Sequence, residues 1–480
     1  MRIDTSLAIL ASVSGAAAFW RMECRGRVGL ARLDPLVNPG TLSTHAHAIH
    51  GSSGFNEKAT YEDLINGECT SCGVVEDKSS YWAPNLYFKH ADGQFEEVEQ
   101  VGGMLAYYFL NLDSANPDAG IKAFPNDFRM IAGDATRRNY SVGGLSFLGP
   151  DPEKSLWAAL GQTTQYDLEQ RAIGFNCLNY KKDPEGTLYR HYLPEKSYLD
   201  ANCADGVRFE IMFPSCWNGK DISSPDHKSH VAYPSLVING DCPKGFDVKL
   251  PGLMYETIWA TNKFIGKPGE FVLSHGDVQG FGYHADFISG WDEKFLQAAV
   301  EQCTNPSGKI SDCPIFTLQS EADQRKCKMN MPPMAASEKL TGIIGDSLPG
   351  GVVIHYGPGP AVGKPAPEPT HVPVPSVGYS AGVPASSGEY LPGAVFKEVP
   401  SETPETTPAP TPSDPPIPEG YSAIRTDYVT NGNVVSKIVV IETVEYVMMS
   451  TETVTVTATY GAQQARREVN HLHRHRHGAH

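Results

Sequence analysis

The chain is predicted to be mainly β, a β-sandwich or jelly-roll-like single domain with few accessory helices, followed by a disordered Pro/Ser/Thr-rich tail. Three observations predict this. Short aromatic or β-branched segments bounded by turn residues recur between Cys24 and Cys327, helical periodicity is confined to two stretches, and beyond about Pro358 proline dominates. The strand candidates are YWAPNLYF (81–88), GMLAYYFL (103–110), FRMIAG (128–133), RFEIMF (208–213), AYPSLVI (232–238) and FVLSHG (271–276). The helix candidates are EKSLWAALGQ (153–162) and DEKFLQAAVEQCT (292–304), the second with Phe295, Ala298, Ala299 and Cys303 on roughly one face.

The first 20 residues, MRIDTSLAILASVSGAAAFW, combine one early basic residue, a short apolar run and small residues, which is the layout of a secretory leader over 1–18. The globular domain is expected over 19–345, a proline-rich linker or stalk of O-glycosylated composition over 346–420, a Val/Thr-rich β-prone segment over 421–461, and an Arg/His-rich tail over 462–480. No run approaches the roughly 20 apolar residues of a membrane-spanning helix, so no transmembrane segment is expected. The mature protein is expected to be extracellular or attached to a cell wall.

All 10 cysteines follow residue 18, and an even number in an oxidising compartment predicts five disulfides of undetermined pairing. Cys69 and Cys72 form a CxxC, a weak zinc or redox signal without a second such pair. Asn139-Tyr140-Ser141 is a glycosylation sequon, expected on an exposed loop. A formal charge of −16 argues against a nucleic-acid partner, whose phosphates require a basic surface.

Chemistry-bearing residues gather in three clusters. In LSTHAHAIHGSSGF, His45 and His47 share a face if the segment is extended, so both imidazoles can meet one ion or one substrate. CWNGKDISSPDHKSHVAYP supplies Asp221, Asp226, His227 and His230, and LSHGDVQGFGYHADFISGWD supplies His275, Asp277, Tyr283, His284, Asp286 and Asp292. Tyrosine beside histidine and an acid suits proton abstraction and return. Arg129 is a candidate clamp for a uronate carboxylate, with an internal ion pair to Asp127 or Asp134 as the plainer alternative. Trp82, Tyr87, Trp217 and Trp291 are candidate stacking platforms for sugar rings or, more simply, core. The P-loop and the HExxH zinc helix are absent from the sequence.

The ordered series DPLVNPG, STHAHAIHGSSGF, CTSC, YWAPNLYF, FPNDFRMIAGD, CWNGKD with DHKSHVAYP, LSHGD and GYHADFISGWD resembles a family of secreted fungal proteins known only as a domain of unknown function, DUF1996. The resemblance covers about residues 24–305. It implies a secreted fungal context, and it matches the family's paired histidines to His45 and His47, the DHKSH histidines to His227 and His230, and the HADF pair to His284 and Asp286. His50 and His275 are less tied to the pattern.

These features together predict a carbohydrate-active enzyme, a hydrolase or lyase of wall or extracellular polysaccharide. His45, His47, His227, His230 and His284 would form its centre, either holding a divalent metal ion or, with Tyr283 and Asp286, moving protons directly. The alternative is a non-catalytic glycan-binding or structural wall protein. Convergence of the histidine clusters would favour the enzyme, and their dispersal the binder.

Overall fold

The computed structural model describes residues 18–142, 151–361, 423–431 and 434–441. All of the leader expected over 1–18 except Ala18, residues 362–420 of the expected proline-rich stalk, and the expected Arg/His-rich tail lie outside the described residues. The protein is mainly β, and the named strand pairings are antiparallel. One five-stranded sheet is ordered β1 (Ala18–Cys24), β7 (Gln100–Leu110), β14 (Gly252–Trp259), β10 (Val207–Met212) and β9 (Ile173–Cys177). A second is ordered β2 (Gly29–Ala31), β3 (His47–Gly51), β4 (Ser80–Pro84), β16 (His284–Ile288) and β8 (Arg129–Gly133).

These two sheets share a core because their strands alternate apolar residues at period two. Tyr108, Phe209 and Tyr255 on the first sheet meet Tyr81, Phe287 and Met130 on the second. Tyr81 packs edge-on against Tyr255 at 5.5 Å, and its hydroxyl lies 2.8 Å from that of Tyr108. The opposite face of the second sheet carries the polar residues of the site. It is covered by a smaller apolar cluster from Leu33, Leu36, Phe55, Leu64, Met329 and Ala335.

A four-stranded sheet, β15 (Gly269–Leu273), β5 (Leu86–His90), β6 (Phe95–Glu97) and β17 (Ile343–Gly345), and a three-stranded one, β12 (Val231–Ala232), β11 (Cys216–Trp217) and β13 (Val248–Lys249), complete the body. Helices are short: α1 (Tyr61–Ile65), α2 (Gln165–Arg171), α3 (Lys196–Asn202), α4 (Glu293–Gln302) and α5 (Glu321–Lys326). Farther along, β18 (Ala423–Asn431) and β19 (Val434–Ile441) pair antiparallel in a separate unit, within the stretch whose Val/Thr content predicted strand.

Several sequence expectations are corrected in detail. The 81–88 segment is two strands in different sheets, because Pro84 has no N–H to donate and the buried Asn85 donates its own to Ala46 O instead. Of 232–238 only the first residue is strand: Pro234 breaks the ladder, and Val237 closes a turn onto Pro234 O at φ 70°. The 153–162 stretch forms a single 3-10 turn at Lys154–Leu156 rather than a helix, with Gly161 at φ +68° ending it. The 292–304 helix forms as α4, with the Asp292 side chain accepting the Phe295 N–H at 2.9 Å. The packed chain also runs past the expected boundary at 345, as far as Ala361, whose N–H donates to Thr136 O.

The five disulfides are Cys24–Cys72, Cys69–Cys327, Cys177–Cys203, Cys216–Cys242 and Cys303–Cys313. The CxxC is therefore neither a redox pair nor a zinc knuckle, since each of its cysteines is bonded to a distant partner. Cys69–Cys327 spans 258 residues and fastens the cover of the second sheet. Replacing both cysteines by serine is expected to cost about 2–5 kcal/mol, read from denaturant unfolding against wild type. No helix among the described residues is long and apolar enough to cross a membrane.

Candidate metal centre

The second sheet positions the site through register. β3 pairs β4 with His47 opposite Pro84, and β16 pairs β8 with His284 opposite Gly133, so both histidines stand in one row across the covered face. The next row along that face carries Ile49, Trp82, Asp286 and Ile131. His45 lies in a bend two residues before β3, and its ring comes to 4.3 Å from that of His47.

A ring nitrogen from each of His45, His47 and His284 lies within 4.8 Å of the other two, and His45 Nε2 is 3.0 Å from His284 Nε2. These values bracket the separation of about 3.3 Å that ligand nitrogens adopt at 2.0–2.1 Å from a tetrahedral zinc. The outward nitrogens are fixed. His47 Nδ1 lies 3.0 Å from Leu33 O and His284 Nδ1 lies 2.9 Å from Gly282 O. A carbonyl oxygen only accepts, so both rings carry their proton on Nδ1 and present the Nε2 lone pair inward. His45 Nδ1 meets Thr44 Oγ1 at 3.0 Å, which serves the same tautomer.

Electrostatics keep this set neutral. Burial, then the neighbouring imidazoles, hold His45 and His284 well below the ordinary histidine range, and burial takes His47 down to about 3. Neutral imidazole is the ligand form. Among the described residues, no hydrogen-bond partner meets His47 Nε2, either ring nitrogen of His275, or either carboxylate oxygen of Asp286. Acceptor atoms buried without donors fit a site built for a cation.

Two groups that sequence reasoning ranked low or passed over complete the surroundings. The His275 ring lies 4.9 Å from that of His284 and 5.5 Å from that of His45. Its neighbour Asp277 is fully buried, accepts N–H bonds from Gln279, Gly280 and Gly282, and faces His275 Nε2 at 3.8 Å and Arg138 Nη1 at 4.0 Å. This carboxylate thus shapes the turn that delivers Gly282 O to His284. Arg138 Nη2 also holds His275 O at 3.0 Å. Asp34 was legible only as a turn residue: its Oδ1 accepts the N–H groups of Leu36 and Val37. It faces Asp286 electrostatically. Burial raises the Asp34 carboxyl to about 6, and burial together with Asp34 pushes Asp286 well above the ordinary range.

The remaining candidates are elsewhere. Both His227 nitrogens are engaged, Nδ1 with Ser223 Oγ and Nε2 with Leu36 O, and His230 packs against Phe128 with Nδ1 on Ser224 Oγ. The five-histidine centre is therefore corrected to three, with His275 beside them. Tyr283 points into the core between the sheets, against Phe175 and Phe209, so it cannot work beside His284. Arg129 is forked onto Asp127 through Nε and Nη2, the internal ion pair that was the plainer alternative to a uronate clamp. Trp82 and Trp291 are wholly buried, Trp82 against Phe55 and Trp291 bonded to Tyr108 Oη, and present no face to a sugar. Trp217 is half-buried, its Nε1 donating to Asp221 O. His50 lies on the other face of β3, near Gln100.

Beside the centre, Lys228 donates to Gly133 O and pairs with Glu169 on α2, which also holds Arg137 Nη2 at 2.5 Å. Burial alone would raise the Glu169 carboxyl, but Lys228 and Arg137 outweigh it and hold it at about 2. The folded value lies below the unfolded one, so the stabilisation is complete above about pH 4.5 and is lost as the pH falls toward 2. Its size is on the order of 3 kcal/mol. Glu169→Gln is expected to flatten the acid limb of the stability profile in that window, measured by urea unfolding at stepped pH.

Comparison with known proteins bears on this geometry. No curated protein and no solved structure matches the chain. The profile of a family described as a domain of unknown function (DUF1996) matches residues 34–291. That match takes in more than half of the 480 residues and every member of the centre, from Asp34 through His45 and His47 to His284 and Asp286. The chain belongs to the DUF1996 family.

Proposed function

We propose that this protein is a secreted, fungal-type enzyme that cleaves wall or extracellular polysaccharide at a three-histidine divalent-metal centre. The observation that carries the reading is the convergence of three neutral imidazoles, two of them locked by carbonyl acceptors with their Nε2 lone pairs turned toward one point. When bound, a divalent ion in a site with three protein ligands and an open position activates water near neutral pH and polarises a substrate oxygen. His45, His47 and His284 hold it. Asp286, two residues along β16 and on the same face as His284, is placed to exchange a proton with a group bound there.

The five disulfides support an oxidising, extracellular setting. A polysaccharide partner is supported by exposed aromatic surface: Tyr189 and Tyr198 flank Arg190, at 5.4 and 5.3 Å from its guanidinium carbon. Such faces stack on sugar rings. One observation favours the second reading, a non-catalytic wall protein: the centre is buried, with no ligand more than 7 % exposed.

The test is metal analysis of the full-length protein and His47→Ala after metal-replete purification, followed by product release from fungal-wall and uronic-acid polysaccharides. One equivalent of ion lost in the variant, with reducing ends or unsaturated products formed only by wild type, is the expected result. Equal metal content in the two proteins would remove the centre. A bound ion without turnover on any polymer would leave the non-catalytic reading standing.

A further inference from the structure

We propose that residues 346–361 form a strap closed over the three-histidine centre, and that its release gates entry to the site. The inference rests on reading that centre as the functional site. His45, His47, His275 and His284 are all buried, so neither an ion nor a substrate reaches them unless some wall moves. Two of the three ligands, His47 and His284, sit in strands paired on both sides, and these walls are rigid.

The strap is a different kind of wall. Several of its contacts with the body lie beside the loops that carry site residues. Gly350 packs on Thr44, the hydrogen-bond partner of His45, so closely that an added Cβ would lie 2.5 Å from Thr44 O. His355 donates its N–H to Gly276 O at 2.9 Å, next to His275. Gly357 abuts the Arg138 carbonyl, where a Cβ would lie 2.4 Å from the oxygen, and Ala361 donates to Thr136 O at 2.9 Å. The strap therefore runs along the loops that carry His45, His275 and Arg138.

Its attachment is light. Cys327 is the last cysteine, so no disulfide reaches the strap. Leu348 anchors its start beside Tyr87, Phe95 and Val272, Val352 and Ile354 pack half-buried on the same cluster, and Tyr356 Oη donates to Glu270 Oε1 at 2.7 Å, but from Gly350 onward no residue is fully buried, and Val353 and Tyr356 are exposed. Segments with few buried contacts and exposed backbone bonds are the ones that open locally, well below the free energy of global unfolding. The strap also lies outside the residues matched by the family profile, which end at 291.

The experiment uses the full-length chain loaded with zinc and follows its removal by a chelator. Gly350→Val with Gly357→Val places side chains where the strap meets Thr44 and Arg138, at backbone φ values of 79° and 75°. The expected result is zinc release faster by about tenfold or more, with one equivalent still bound at the start. Thr136→Cys with Ala361→Cys, cross-linked, pins the end of the strap and is expected to slow release below wild type; it also carries the test if the valine variant fails to fold. Zinc release at the wild-type rate in the cross-linked protein and in the folded valine variant overturns the proposal. Should wild type take up no zinc, the metal reading fails, and the strap is judged by diethyl pyrocarbonate modification of His45. Faster modification in the valine variant, or slower modification in the cross-linked one, then supports gating, and unchanged rates overturn it.

Discussion

His284→Ala is expected to abolish stoichiometric metal binding, whereas His230→Ala is expected to bind as wild type does. The two residues look equivalent in sequence, each a histidine in a polar, aspartate-containing motif, and the fold separates them. His284 faces His45 across 3.0 Å, and its loss leaves two imidazoles and an open side. Removing even an outer partner of a ligating histidine commonly costs 10–100-fold in affinity, and deleting the ligand itself exceeds that. His230 stands against Phe128, with its Nδ1 occupied by Ser224. Isothermal titration with zinc on apoprotein of each variant makes the comparison. Loss of binding in His230→Ala, or full binding in His284→Ala, would require a different centre.

The second large effect is expected from Asp277→Ala, at a residue that touches none of the three ligands. Its carboxylate is fully buried, accepts three backbone N–H groups at 2.6–3.0 Å and faces the guanidinium of Arg138. Burial would raise this carboxyl, but His275, Arg138 and the Gly282 N–H together hold it below the ordinary range, so it is charged. Alanine leaves Arg138 without its counter-charge and three donors without an acceptor, a loss of about 3–5 kcal/mol. It also frees the turn that fixes Gly282 O on His284 Nδ1, which is expected to weaken metal binding about 10–100-fold. Asp277→Asn retains acceptor capacity and should fall between the two. Chemical denaturation and zinc titration of both variants separate the structural loss from the loss of ligand orientation.

How much of this was legible in the sequence depends on what each signal encodes. The HxH spacing of His45 and His47 and the HxD spacing of His284 and Asp286 both specify a shared face in extended chain; His284 and Asp286 are found so in β16, while His45 reaches His47 from a bend. The same rule, applied one residue further, places Tyr283 on the face opposite His284, and the core between the sheets is where it lies. Trp82 and Trp291 follow their size into the interior. His227 and His230 were not separable from the histidines that converge, because local polarity carries no information about where the fold places a loop. His275 was ranked low and Asp34 passed over for the converse reason: each sits in a turn, and only the folding-back of that turn brings it to the sheet. The mainly β class was readable from short aromatic and β-branched segments bounded by turn residues. Sheet membership was not, since Asn85 moves the chain from one sheet to another within a segment that reads as one strand.

The placement of β16 between β4 and β8 also sets a timetable for the chain's birth. His45 and His47 leave the ribosome about 240 residues ahead of His284, an interval of about 10–50 s at synthesis rates of 5–20 residues per second. Through that interval the nascent chain offers a two-histidine fragment, and the cover over it cannot be fastened until Cys327 has emerged to meet Cys69. A three-imidazole set therefore exists only late in the chain's folding, after most of the sheet that carries it has already been made.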